Sequence, residues 1–173
     1  NAVLLKGVND DEAIPLLRHA LANDWNLRFI EQMPLDAGDL WARPVMVTAD
    51  EIQSELEREF ELTPVPSRGS APAEEFYVDG GPETVGIIAS VTRPFCAACD
   101  RLRLTADGQF RNCLFARDET DVRAILRSGL PQSDIHAGVQ AIIESVTKSK
   151  LPGHGINDPG FIKPDRPMSA IGG

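Results

Sequence analysis

The chain has 173 residues, 42% hydrophobic and 25% charged, with a formal net charge of −9. That length and balance suit one ordinary domain or two small ones able to bury a core. An acidic balance disfavours binding to DNA, RNA or an anionic membrane, and no apolar run is long enough to cross a bilayer, so a soluble cytoplasmic protein is expected.

The sequence opens without Met on Ala2-Val3-Leu4-Leu5, which reads as a buried strand. A start in mid-element leads to the expectation of a fragment of a longer chain. Asn9, Asp10 and Asp11 offer N-cap residues to a helix with Ile14, Leu17 and Leu21 at helical spacing. Leu27-Arg28-Phe29-Ile30 is a second short strand. Thr48 and Glu51 form a capping-box pattern ahead of Ile52, Leu56 and Phe60 on one helix face. Strands alternating with helices predict a parallel sheet. Two such strands cannot cover both faces of it, which again points to a missing preceding part.

Residues 61–75 hold Pro64, Pro66, Ser67, Gly69, Ser70 and Pro72, a breaker-rich connection that divides the chain into domains at 1–66 and 67–173. Beyond it, residues 75–78, 85–91, 102–105 and 110–115 are short strand candidates that predict a small antiparallel sheet. Two helices follow, over 121–128 and 133–147. The second carries Ile135, Val139, Ile142, Ile143 and Val146 in a stripe read as core packing. From residue 151 periodicity is lost among four prolines and five glycines, yet Ile156, Phe161, Met168 and Ile171 predict that this tail lies against something.

The strongest signal is Cys96-x2-Cys99-x13-Cys113, the chain's only three cysteines. An odd count within eighteen residues disfavours a disulfide framework and favours soft-metal ligation by thiolates. Structural zinc needs a fourth protein ligand, for which Asp100, His136 or His154 are candidates, whereas a cluster on three cysteines keeps one iron open. Spacing alone does not separate zinc from iron. Arginines 93, 101, 103, 111 and 117 face only Asp100 and Asp107 within this segment, giving +3 against −12 for the remainder. Such a patch on an acidic protein suits a small anion or is ordinary solvated charge. On a strand, Arg101 and Arg103 point to one face and suit phosphate oxygens. A two-residue turn at Asp107-Gly108 would set Cys113 opposite Leu102, away from both arginines, and a one-residue bulge would reverse that.

The run Arg93-Pro94-Phe95-Cys96-Ala97-Ala98-Cys99-Asp100-Arg101-Leu102-Arg103 resembles the C-terminal cluster segment of the radical S-adenosylmethionine GTP 3',8-cyclases. So do Cys113-Leu114-Phe115 and the ending Ser169-Ala170-Ile171-Gly172-Gly173. Leu27-Arg28-Phe29-Ile30-Glu31-Gln32-Met33-Pro34 is similar to the sixth-strand segment of that family's incomplete barrel. The resemblance implies an α/β fold: the C-terminal part of an incomplete (β/α) barrel, then a small α+β domain with an antiparallel sheet. It implies that Cys96, Cys99 and Cys113 ligate a [4Fe–4S] cluster whose open iron meets the guanine of GTP. Arg101, Leu102 and Arg103 would lie along the GTP, Met33 near S-adenosylmethionine and Arg28 at the polar cavity, with Gly172 and Gly173 reaching into the active site. In the full-length enzyme, S-adenosylmethionine is opened at a second [4Fe–4S] cluster on a CxxxCxxC signature absent from this chain, so this part alone is expected to be inactive. Exposed barrel edges lead to an expectation of self-association, including a homodimer. The competing readings are a zinc-stapled binding module without catalysis and a ferredoxin-like electron carrier. The latter favours four cysteines and no arginine pair.

Overall fold

The computed structural model describes residues 1–36, 38 and 40–171 of a mixed α/β chain with two sheets. It divides into two compact units, residues 1–34 with 40–99, and residues 35–39 with 100–173.

In the first unit the opening residues lie beside β1 (Leu27–Ile30), with Ala2 bridged in parallel to Phe29. Asn9 and Asp10 do not cap the helix that follows. Their side chains accept the Leu5 and Gly7 N–H groups at 2.8 and 2.9 Å, closing a turn. Helix α1 therefore begins later, over Ala13–Ala22, with Glu12 before it. Pro15 falls in its first turn, where a missing N–H leaves no helical bond unmade. Helix α2 (Ala49–Leu56) starts at the expected capping box. The Glu51 N–H donates to Thr48 Oγ1 at 3.2 Å and the Thr48 N–H to Glu51 Oε2 at 2.7 Å. Lys6 and that box hold the Glu51 carboxyl below its ordinary range.

Strands β2 (Leu62–Pro64), β3 (Glu74–Val78) and β4 (Thr84–Ile88) complete a sheet of order β1-β4-β3-β2. β1 and β4 are parallel, and the other pairs are antiparallel. One face, formed by Phe29, Val85, Ile87, Phe76 and Val78, closes the core with Leu17, Ile52 and Leu56. The expected division at residue 66 thus falls inside this sheet. β3 and β4 join β1, because parallel pairing of β4 with β1 covers an edge that residues 1–66 alone leave open.

The second unit holds a three-stranded antiparallel sheet, β5 (Arg103–Leu104), β6 (Gln109–Arg111) and β7 (Thr120–Asp121). Helix α3 (Arg123–Leu126) and helix α4 (Gln132–Lys148) follow. The four strand candidates are therefore shared between two sheets, and the helix expected from residue 121 starts two residues later because Asp121 pairs with Gln109. The stripe on α4 is corrected by the structure: Val146 is buried, but Ile143 is 38% exposed. Gly138 decides this, since a Cβ there would lie 2.7 Å from Ile125 Cγ1. Close approach of α3 turns the Gly138, Ile142 and Val146 side inward. Ile135, Val139 and Ile143 are left around an open hollow of about 410 Å³. The tail packs as expected, with Ile156 and Ile171 buried. Among the described residues no helix is long and apolar enough to cross a membrane.

One polar group ties the first unit together. Glu31 is 1% exposed, and its carboxylate accepts the N–H groups of Ala49, Val91 and Thr92 at 2.8, 2.7 and 2.9 Å, with the Thr92 hydroxyl also donating. Glu31→Gln sets an amide donor against these donors, and should lower stability by about 3 kcal/mol in urea unfolding. Unchanged stability would remove this role.

Candidate functional site

Beyond β4 the chain is held at Val91 and Thr92 by Glu31, then passes Arg93, Pro94 and Phe95 into a one-turn 3-10 helix, Cys96–Ala98. The Ala98 N–H donates to the Phe95 carbonyl at 3.2 Å and the Cys99 N–H to the Cys96 carbonyl at 3.1 Å. An i to i+3 turn eclipses its first and fourth residues, so it draws Cys96 and Cys99 to one side. Both thiols are half-buried. Phe95 is pinned by the Arg68 guanidinium, 4.6 Å above its ring, while Arg68 also donates to the Ala71 and Pro72 carbonyls. Arg93 is 3.0 Å from Glu74 and 3.6 Å from Asp50, so this arginine serves the first unit's own carboxylates.

In the second unit the hairpin resolves the register that spacing left open. Arg103 pairs with Arg111 and Leu104 with Phe110, which makes residues 106–108 a three-residue turn. Gly108 has φ +78°, and a Cβ there would lie 2.3 Å from Arg123 Cγ, so only glycine fits. The longer turn reverses the simple two-residue register. Arg103 lies in β5, but Arg101 and Leu102 precede it, so the expected strand does not extend to all three. Arg101 is exposed and Arg103 half-buried.

Arg111 is the ladder partner of Arg103, but its guanidinium is spent on other groups. Its side chain is 2% exposed and donates to Glu119 and to the Ala116 carbonyl. Arg166 from the tail joins the same carboxylate, with Nε 2.8 Å from Glu119 Oε1, and forks onto Asp107 at 3.1 and 2.8 Å. Two arginines and two carboxylates thus lock the hairpin turn, the loop before β7 and the tail. Beyond the lock, the Met168 N–H donates to the Leu35 carbonyl at 2.8 Å. Gly172 and Gly173 lie outside the described residues.

Cys113 stands where the chain bends away from β6, half-buried, its carbonyl accepting the Ala116 N–H at 3.2 Å. Cys96 and Cys99 belong to the first unit and Cys113 to the second. Within neither unit, among the described residues, do three His, Cys, Asp or Glu side chains group to hold a metal ion. The zinc candidates have other engagements or surroundings. His136 bonds to Gln132 at 2.8 Å, His154 Nδ1 accepts the Ile156 N–H at 3.2 Å and its ring packs 4.6 Å from Phe115, and Asp100 is exposed. Met33 is half-buried three residues past β1. Arg28 sits on the β1 face opposite the core, crosses Gly86 and ends 3.4 Å from Glu75. Gly86 is small because a Cβ there would lie 2.9 Å from Arg28 Cγ.

Sequence reasoning passed over Glu31, Glu119, Lys150 and Arg166. Only Glu31 left a trace: an acid directly after the apolar pair Phe29-Ile30 at the end of a strand calls for buried partners.

Residues 25–156 match the family described as Molybdenum Cofactor Synthesis C. The chain is 59% identical over 175 residues to the GTP 3',8-cyclase of Streptomyces coelicolor, covering 100% of this chain and 50% of that protein. It is 53% identical over 178 residues to the GTP 3',8-cyclase of Mycolicibacterium smegmatis, covering 100% of this chain and 48% of that one. Identity to the GTP 3',8-cyclase 2 of Mycobacterium tuberculosis H37Rv is 51% over 178 residues, covering 100% of this chain and 48% of that relative. The chain spans about half the length of the curated relatives it matches.

The fork from Arg166, with the Thr105 hydroxyl, holds the Asp107 carboxyl well below the ordinary carboxylate range. A depressed acid stabilises the fold above its unfolded pKa, about 4, and that contribution is lost as pH falls through the folded value. Thermal melts of Arg166→Ala should therefore fall less steeply than wild type below about pH 4. Parallel acid limbs would show that the lock carries no linkage.

Proposed function

Because the chain belongs to the molybdenum cofactor synthesis C family, we propose that it is the C-terminal part of a GTP 3',8-cyclase. The reaction, the first step of molybdenum cofactor biosynthesis, closes GTP between the ribose 3' carbon and purine C8. The reading is carried by the family match over residues 25–156, which takes in Cys96, Cys99, Cys113, Arg101, Leu102 and Arg103. Cys96, Cys99 and Cys113 hold a [4Fe–4S] cluster, and their chemistry fits it. Three soft thiolates suit iron. When bound, the cluster supplies an iron site open to the guanine base.

Arg101 and Arg103 donate forked, charge-assisted hydrogen bonds to the triphosphate, and Leu102 lies along the nucleotide. β1 and β4 are the last parallel strands of an incomplete (β/α) barrel. Arg28 is on its inner face, and Met33 meets S-adenosylmethionine beyond the strand's C-terminal end, where barrel sites are built. Gly172 and Gly173 are assigned a supporting role in the reaction, since residues without side chains suit a narrow cavity. The radical-generating CxxxCxxC belongs to the rest of the protein, and this part alone does not cleave S-adenosylmethionine. The enzyme is cytoplasmic and takes GTP rather than nucleic acid.

Anaerobic reconstitution with iron and sulfide should give about four irons per chain and a thiolate-to-iron absorption band, both lost in Cys113→Ala. Stoichiometric zinc surviving that treatment would defeat the cluster reading. In the reconstituted full-length enzyme, Arg101→Ala and Arg103→Ala should each weaken GTP binding by about 1–3 kcal/mol. Unchanged affinity by calorimetry removes their phosphate role.

A further inference from the structure

The β5–β6 ladder ends at the Arg103–Arg111 pair, two residues short of both Arg101 and Cys113. Past that point the two arms have no strand pairing, yet Arg101 and Cys113 are the residues whose placement matters. A side chain closes the gap. Lys150, just beyond the C-terminus of α4, donates from Nζ to the Arg101 carbonyl at 2.8 Å and to the Asn112 carbonyl at 2.7 Å. An ammonium has several rotatable donors and suits two carbonyls from different strands, which a neutral backbone N–H cannot bridge alone. The helix end is itself stitched to the same arm. Asn112 Nδ2 donates at 2.9 Å to both the carbonyl and the hydroxyl oxygen of Ser149, and that hydroxyl donates to the Val146 carbonyl at 2.8 Å. Val146 is the buried anchor of α4. Rigid helix, capping serine and lysine therefore form one continuous connection to the base of the hairpin.

We propose that Lys150 is a positioning residue that clamps the Arg101 and Cys113 arms together and places a fixed positive charge one peptide unit from the Cys113 ligand. This deepens the reading of Cys113 as a cluster ligand and rests on it. The charge-assisted bridge replaces the ladder bonds the hairpin lacks at its open end, holding the Cys113 thiolate ready for iron. The ammonium also favours the more negative, reduced state of a cluster held there.

The test compares wild type, Lys150→Met and Lys150→Arg after anaerobic reconstitution with ferrous iron and sulfide. Iron loss to a chelator and the cluster's midpoint potential are followed. Lys150→Met should lose iron about tenfold faster and reduce at a more negative potential, and Lys150→Arg should stay within about twofold of wild type in rate. Equal rates and potentials for Lys150→Met and wild type overturn the proposal. If the wild-type chain takes up no iron, the cluster reading fails separately, and the clamp is judged on the metal-free chain. There the Cys113 thiol should be alkylated about threefold faster in Lys150→Met than in wild type or Lys150→Arg, and an equal rate overturns the clamp. Should Lys150→Met not fold by circular dichroism, Lys150→Gln, which keeps a neutral donor, carries the same comparisons.

Discussion

The first unit depends on one buried carboxylate. Glu31 leaves the C-terminal end of β1 and gathers N–H groups from the start of α2 and from the run after β4. A carboxylate out of water is costly unless its oxygens are filled, and here four donors fill them. The Ala49 N–H is one of the groups a helix cannot satisfy from within, so the acid also sits where the α2 dipole favours negative charge. The consequence runs outward: with Val91 and Thr92 held, the path through Arg93 and Phe95 begins from a fixed point, and the Cys96–Cys99 turn inherits that fixity.

The second unit is organised differently. Its apolar core is small, built on Phe115, Val122, Val146, Ile156 and Ile171. Polar connections make up what packing does not. Arg111, almost fully buried, and Arg166 share Glu119, and Arg166 reaches on to Asp107. These bonds join segments far apart in sequence, the hairpin turn and the tail, so the tail that lacks periodicity is nonetheless anchored. Lys150 serves the opposite end of the same hairpin. Turn and open end are thus both closed by charge.

The two units share a logic that bears on the proposed chemistry. Several of the arginines that make the cysteine segment cationic are not spare charge. Arg93 meets Glu74 and Asp50, and Arg111 meets Glu119. The local +3 balance therefore overstates what a ligand could use. Arg101 and Arg117 are exposed and Arg103 is half-buried, and Arg101 and Arg103 are the pair proposed for phosphate recognition.

By itself the sequence determined what short-range chemistry decides. The Thr48–Glu51 capping box, the helical spacing of Leu17, Ile52 and Leu56, and the CxxC turn each depend on residues a few positions apart, and each is present as read. The family was legible for the same reason, since it rests on contiguous runs. Only the tertiary structure decided which strands pair, which face of α4 turns inward, and where the long-range polar partners lie. β4 could join β1 only across some fifty residues of intervening chain, and Gly138 mattered only because Ile125 arrived against it. Glu31, Lys150 and Arg166 look like ordinary charged residues in sequence. Their roles come from donors and acceptors that folding alone brings within hydrogen-bonding distance.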